Sequence, residues 1–313
     1  CLILDFDNTL WGGVIGEIGW KNIQIGNDSA LGQVYLRFQK YIFELMSKGI
    51  ILAGCTKNEK NVALSGFKNK SNILKLDHFS IIKANWENKV QNIIEISKEL
   101  NIGLDSMVFI DDSKFERELV KKQLPMVEVP EVGNDPEKYI FYIDREKFFE
   151  NSKLSKEDLQ RTNFYKTNLK REKEQNSFKS YNEYLKSLKM KTQLTSFKKE
   201  NIERIHQLIN KTNQFNLNGI RYTENEVKEI INEGGSLITG DLSDKYGNHG
   251  EIICLLINKS GIILSYVMSC RVFQRQIEYI FLKSLSNFPF DHFKLNYIKT
   301  PKNVPFQKFL EKY

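Results

Sequence analysis

The stretch Cys1-Leu2-Ile3-Leu4-Asp5-Phe6-Asp7-Asn8-Thr9-Leu10 decides how the chain is read. Its first four residues form an apolar run of the length of a buried β-strand. The run breaks into Asp-x-Asp-x-Thr, so the turn at the strand tip carries two carboxylates at i and i+2. Like charges a few ångströms apart raise each other's pKa unless something positive stands between them. Magnesium would meet that need, because it takes oxygen ligands and keeps places for water and a phosphate. Asp-x-Asp after a strand also occurs as a plain turn whose carboxylates cap a helix. The later strand ends decide between the two.

Those ends follow in order. Trp11 to Trp20 mixes glycines with apolar residues and reads as a small β-flap over the strand tip. Apolar spacing at Leu31, Val34, Leu36, Phe38, Tyr41, Ile42 and Leu45 predicts a helix over 30–47, stopped by Gly49. A second strand, 50–54, ends in Cys55-Thr56-Lys57-Asn58-Glu59, with a helix from about Glu59. A hydroxyl, an ammonium and an amide beside a helix N-terminus make a phosphate-binding corner. Thr56 and Asn58 placed there can equally serve as helix caps. A third strand, 79–82, leads through Asn85-Trp86-Glu87-Asn88 to Lys89, which opens a helix over 90–100. A cation in a helix's first turn opposes the dipole and points to an anion it meets, unless it is simply solvated. A fourth strand, 107–110, ends in Asp111-Asp112, before a helix over 115–122 and a short strand over 126–129. The alternation predicts an α/β architecture: a doubly wound parallel sheet with its ligand at the carboxyl edge.

Asp5-x-Asp7-x-Thr9, Thr56, Lys89 and Asp111-Asp112 resemble the four motifs of the haloacid dehalogenase superfamily of phosphotransferases. The chain is still more similar to the FkbH-like proteins (subfamily IIIC). The residues that carry this are Leu4 to Glu17, Cys55-Thr56-Lys57-Asn58, Asn85-Trp86-x-x-Lys89, Leu104 to Asp112, and Glu116-Arg117. The likeness covers roughly residues 1–130 and departs at Ser113-Lys114, where Asn-Pro is usual. The chemistry it implies is phosphoryl transfer. Asp5 attacks phosphorus and becomes an aspartyl phosphate. Asp7 protonates the leaving oxygen and then activates water. Mg2+ is held by Asp5, the Asp7 carbonyl, Asp111 and Asp112. Thr9, Thr56, Asn58 and Lys89 bind the phosphate. Only 46 residues separate Thr9 from Thr56, and 32 separate Thr56 from Lys89. Neither gap holds a large cap, and an uncapped site can admit a substrate tethered to a protein.

Cys55 separates the functional readings. It stands beside Thr56, near a predicted helix N-terminus and Lys57, conditions that lower a thiol pKa. A small buried residue at a strand end is the plainer alternative. FkbH-like proteins are associated with loading a glyceryl unit from 1,3-bisphosphoglycerate onto an acyl carrier protein. The resemblance implies that Cys55 attacks the acyl phosphate carbon and forms a thioester, while the aspartates remove the 3-phosphate. The phosphopantetheine thiol of the acyl carrier protein then collects the glyceryl unit. The alternative is a phosphatase of surface-polysaccharide or secondary metabolism without acyl transfer. A binding module with vestigial sites is a third reading, opposed by the intact Asp5, Asp7, Lys89 and Asp111.

Three regions are expected: a phosphotransferase domain over 1–135, a helical connector over 136–190 and a second α/β domain over 191–313. The connector includes Ser155 to Lys173, polar and helix-prone. In the last region, strands are predicted over 192–197, 236–239, 251–257, 262–268 and 293–298. Helices are predicted over 201–210, 224–231, 276–285 and 304–310, and Gly247-Asn248-His249-Gly250 reads as a hairpin turn. Asn210 to Asn216, Arg221-Tyr222 and Met268 to Val272 resemble the C-terminal portion of FkbH-like proteins, which is similar to a GNAT-type acyltransferase. That resemblance implies substrate contacts from Asn213, Gln214 and Arg271. Its pyrophosphate loop falls on Arg271 to Gln276, with Gln where glycines are usual, so side chains would crowd coenzyme A.

The bulk numbers set the class. The 313 residues suit two domains, and 41% apolar with 27% charged residues is ordinary for a globular chain. No run approaches the ~18 apolar residues of a membrane span. The chain opens without Met and inside a strand, so a fragment is expected. Cys1, Cys55, Cys254 and Cys270 lack metal-ligand spacing and read as reduced thiols of a cytoplasmic protein. The net charge of +7 comes from scattered lysines, densest over 166–173 and 186–199. No basic stripe interleaved with aromatics is present, so no nucleic-acid partner is expected. The lysines read as a solvated surface or as a docking face for an acidic protein.

Overall fold

A computed structural model describes residues 1–150, 165, 167, 171, 174–175, 177–196, 202–287 and 293–312. The chain falls into two compact units, Cys1–Lys170 and Arg171–Tyr313. The division lies within the segment expected to be a connector. Most of the helix-prone stretch Ser155–Lys173 is outside the described residues, as are Phe197 and Asn201 at predicted element ends. Among the described residues no helix is long and apolar enough to cross a membrane.

The first unit is built on a four-stranded parallel sheet: β1 (Leu2–Leu4), β2 (Leu52–Thr56), β3 (Phe79–Ala84) and β4 (Val108–Ile110), in the order β3-β2-β1-β4. The Asp-bearing strand is therefore central, flanked by the strands that carry Thr56 and Asp111. Leu2, Leu4 and Phe6 face one core, with Phe38 and Ile42 from the helix Ala30–Ser47. Ile3, Ala53 and Cys55 face the other, with Ile93, Ile96 and Val120 from the helices Lys89–Leu100 and Lys114–Gln123. This alternation of side chains across β1 and β2 is the period-2 pattern of a strand buried on both faces. The helix over 30–47 starts where Ser29 accepts a hydrogen bond from Gly32 N.

Two local expectations change. The segment after Leu10 is not a β-flap. It makes the helical turn Ile15–Ile18, and the Gly12 and Gln24 backbones pair to close the loop. The strand over 126–129 shrinks to one bridge, Val108 to Glu128, because Pro125 and Pro130 cannot donate on either side.

The second unit holds a five-stranded sheet: β5 (Leu194–Ser196), β6 (Ser236–Asp244), β7 (Gly247–Ile257), β8 (Ile262–Met268) and β9 (Lys294–Leu295), in sequence order. The first four run antiparallel, and β9 joins parallel to β8. Helices Ile202–Lys211, Glu224–Asn232, Ile277–Ser284 and Val304–Leu310 accompany it. The β6–β7 turn is Lys245-Tyr246, with Asp244 opposite Gly247. The predicted turn Gly247-Asn248-His249-Gly250 is instead the first part of β7. Asp244 decides this, since its carboxylate accepts from Tyr246 N at 2.8 Å and fixes the turn two residues earlier.

Candidate active site

The turn after β1 is fixed by apolar packing. Phe6 lies between the two carboxylates in sequence and packs against Trp11, Phe67 and Phe79, with ring centroids 5.4, 5.3 and 5.7 Å away. It crosses the sheet over Gly54, where a Cβ would come within 2.6 Å of the Phe6 ring. Burying Phe6 on one side leaves Asp5 and Asp7 at the strand tip. Asn8 takes a left-handed conformation, φ 54°, and its amide oxygen accepts from Gly13 N at 2.8 Å. Tyr35 and Tyr139 both donate to the Asn8 carbonyl.

Asp5, Asp111 and Asp112 converge. Each offers a carboxylate oxygen within 4.8 Å of the others. The Lys89 ammonium lies 2.9 Å from Asp5 and 2.5 Å from Asp111. Lys89 is the first residue of its helix, so the anions expected to meet it are these two carboxylates. Burial alone would lower its pKa, but the charges of Asp5 and Asp111 outweigh that and hold it raised. Burial also raises the Asp5 carboxyl, against the pull of Lys89. Asp111 is pushed up to about 6 by burial and then by Asp5. Asp112 is pushed up to about 6 by burial and then by Asp111. Three crowded oxygen donors with raised pKa values suit a hard divalent cation, whose charge would reverse those shifts.

Asp7 is held differently. One oxygen accepts from Trp11 Nε1 at 2.9 Å and Ile15 N at 3.1 Å, the other from Asn58 Nδ2 at 2.9 Å. Its side chain is thereby oriented apart from the Asp5–Asp111–Asp112 group. Asn58 also donates to Thr56 Oγ1 at 3.2 Å, which ties the two phosphate-corner residues to Asp7. Neither caps the helix Lys60–Ser65. Glu59 does, accepting from Asn61 N and Val62 N. Thr56 and Asn58 thus keep polar groups at the sheet edge without serving the helix. Thr9 is fully buried, and its hydroxyl accepts from Asp112 N at 3.2 Å, so it positions the acidic loop.

Cys55 departs from the expectation of an activated thiol. It is fully buried, on the sheet face opposite Gly54 and Thr56, among Ile3, Ala53 and Ile93. Burial pushes the thiol up to about 12, against a lowering by Lys89. Lys57, expected to help activate it, instead pairs with Glu116 at 2.6 Å.

Arg117 is a site residue that the pattern of strand ends did not reveal. It is 1% exposed and donates to the backbone carbonyls of Asp111 and Asp112 at 2.8 and 2.7 Å, while its other nitrogen pairs with Glu131. Its nearness to Asp111-Asp112 in sequence was the available signal.

In the second unit the named residues sit in separate local structures. Asn213 accepts from Arg221. Gln214 is half-buried in the loop before Phe215. Arg271 is buried in a short helical turn, and its guanidinium donates to Ser269 Oγ at 3.1 Å. Gln274 and Gln276 both have left-handed φ, 65° and 60°, at positions where glycine would be unstrained.

No family model matches the chain, and no curated protein matches it. Among solved structures it is similar to the N-terminal part of the protein BF1531 from Bacteroides fragilis, described as containing a phosphatase domain complexed with Mg. The identity is 46%, over 49% of this chain and 41% of that chain, with a TM-score of 0.48.

Proposed function

We propose that the first unit is a magnesium-dependent phosphohydrolase of the haloacid dehalogenase type acting through Asp5. The observation that carries this is the meeting of Asp5, Asp111, Asp112 and Lys89 at the carboxyl edge, with Asp7, Thr56 and Asn58 linked beside them. A carboxylate oxygen of Asp5 attacks phosphorus, and the bond to the leaving oxygen breaks. Asp7, oriented by Trp11, Ile15 N and Asn58, gives that oxygen a proton. Asp7 then takes a proton from water, which attacks the aspartyl phosphate and frees inorganic phosphate and Asp5. Lys89 offsets the negative charge gathered at the centre. Asp5, Asp111 and Asp112, with the Asp7 carbonyl, would hold Mg2+, which supplies charge neutralisation for the transferring phosphoryl group. The solved chain with 46% identity over the matched part is described as a phosphatase domain complexed with Mg, and the same class is proposed here on this chain's own residues.

The test is phosphate release from acetyl phosphate with Mg2+. Asp5→Asn is expected to lower kcat by about a thousandfold or more. Unchanged turnover in that variant would refute the reading and favour a binding module.

A finer reading adds acyl transfer: Cys55 takes a glyceryl unit from 1,3-bisphosphoglycerate and passes it to the thiol of an acyl carrier protein, with a GNAT-like second unit. The Lys89 charge lowers the Cys55 thiol, but burial is the larger effect and leaves it raised to about 12. The burial of Cys55 weighs against the transfer. Intact mass after incubation with 1,3-bisphosphoglycerate decides. A hydroxylamine-labile glyceryl or phosphoglyceryl adduct, absent in Cys55→Ala, supports transfer, and its absence leaves the phosphatase alone.

A further inference from the structure

We propose that Tyr35 and Tyr139 are positioning residues for Asp7: their two hydroxyls hold the Asn8 peptide in the conformation that aims the Asp7 carboxyl at the leaving oxygen. This rests on the phosphohydrolase reading and deepens it.

The turn after β1 needs such a hold. Asn8 follows Asp7 directly and has φ 54°, a left-handed conformation that is costly for a residue with a Cβ. Its carbonyl accepts from Tyr35 Oη at 3.3 Å and from Tyr139 Oη at 3.2 Å. Both distances exceed the ~2.7–2.8 Å of a lone O–H···O bond, so each bond is weak singly and the two act together. Both side chains are buried, and neither hydroxyl has another hydrogen-bond partner among the described residues. A buried O–H that loses its acceptor is destabilising. Turning the Asn8 carbonyl away would orphan both hydroxyls at once.

The two phenols come from different elements. Tyr35 lies in the helix Ala30–Ser47, and its ring closes over Gly12, where a Cβ would come within 2.8 Å of it. Tyr139 opens the helix Tyr139–Arg145, and its ring meets Phe38 edge-on at 5.5 Å. Ring packing therefore fixes the hydroxyls independently of the turn they hold. Tyr139 also lies past residue 135, the expected end of the phosphotransferase domain, and within the first compact unit. The helix it opens thus belongs with the catalytic centre.

That centre is close by. Burial and then the Asp112 charge push Tyr35 up to about 12, and burial, Tyr35 and Asp112 raise Tyr139. Both phenols keep their protons and remain donors. On the other side of Asn8, the Thr9 hydroxyl accepts from Asp112 N. Trp11, Ile15 N and Asn58 orient the Asp7 carboxylate, and the tyrosines place the backbone that bears it. Misplacing a reacting group by ~1 Å can cost about a hundredfold in rate.

The test separates the acid step from the rest, at saturating Mg2+. Propyl phosphate loses an alkoxide that needs the Asp7 proton, whereas nitrophenyl phosphate loses a stable phenolate that does not. Comparison in kcat/KM covers only the steps through departure of that first product, so the later attack of water does not enter. The double variant Tyr35→Phe/Tyr139→Phe keeps both rings and removes only the hydroxyls. It is expected to lower kcat/KM about tenfold or more on propyl phosphate, and no more than about threefold on nitrophenyl phosphate. Each single variant should show part of the same split, and Asp7→Asn a larger one. A merely structural role lowers both esters alike. Equal losses on the two esters, or no loss on propyl phosphate, overturn the positioning role. A split that Asp7→Asn still shows then leaves the phosphohydrolase reading standing. A wild type that releases phosphate from neither ester nor from acetyl phosphate overturns that reading, and the positioning role with it.

Discussion

Lys89 is only 4% exposed, and its ammonium is the cation that separates two buried carboxylates. Lys89→Met leaves Asp5 and Asp111 facing each other without it. The variant should lose about 3–5 kcal/mol of stability in chelator-treated buffer. Mg2+ should recover part of that loss, because a divalent cation replaces the missing charge. Thermal unfolding with and without Mg2+ measures both, and a melting temperature indifferent to the metal would count against the metal site. Cys55 gives the opposite expectation. Its side chain points away from the Thr56 edge into an apolar core, so Cys55→Ala should cost about 1 kcal/mol and leave phosphate release intact. A collapse of phosphate release would place the thiol in the hydrolytic chemistry. Residue types and spacing made Asp5, Lys89 and Asp111 legible in the sequence. The state of Cys55 was not legible, because its pKa is set by burial and by charges distant in sequence.

The elements that carry these residues depend on close contacts. Gly54 lets Phe6 cross β2, and Gly54→Ala would drive a Cβ to 2.6 Å from the ring. Overpacking of this kind costs about 1–3 kcal/mol, read as a lowered denaturation midpoint. Because Phe6 joins Asp5 to Asp7, activity should fall with it. Arg117 anchors the acidic loop from the helix Lys114–Gln123. Arg117→Met frees two backbone carbonyls that it now satisfies. Weakened Mg2+ dependence by about ten- to a hundredfold is expected, seen in a metal titration of activity. Strands and long helices followed from apolar periodicity. The β-flap and the Gly247–Gly250 turn did not survive, since tertiary partners chose otherwise. Gln24 closes the first loop, and Asp244 sets the second turn.

At the scale of the whole molecule, the two units should answer different perturbations. The carboxylate centre belongs to the first. In the second, the Asp244 carboxylate is fully buried between Arg171, Arg275 and His249, with contacts of 2.8, 3.2 and 3.1 Å. Burial depresses the His249 pKa, joined by the charges of Arg275 and Arg171 and opposed by the hydrogen bond to Asp244. The unfolded chain therefore binds a proton below about pH 6.5 that the folded chain resists. Stability of this unit should fall as pH drops through 6.5, by up to about 1.4 kcal/mol per pH unit. Amide hydrogen exchange in β6 and β7 reports it locally, and His249→Gln should flatten the dependence. An unchanged profile in that variant would assign the acid sensitivity elsewhere.

The sequence by itself determined the central parallel strands, the polar strand ends and the four motif positions. Those depend on side-chain periodicity and on residue chemistry within a few positions. Only the tertiary structure decided that Lys89 bridges Asp5 and Asp111, that Asn58 orients Asp7, and that Arg117 fixes the acidic loop. It also decided that Lys57 pairs with Glu116 rather than with a thiolate at Cys55. Arg117 apart, which reaches back only five and six positions, each of these joins residues 22 to 84 positions apart, and a pairing across that distance is chosen by strand order and burial, not by local pattern.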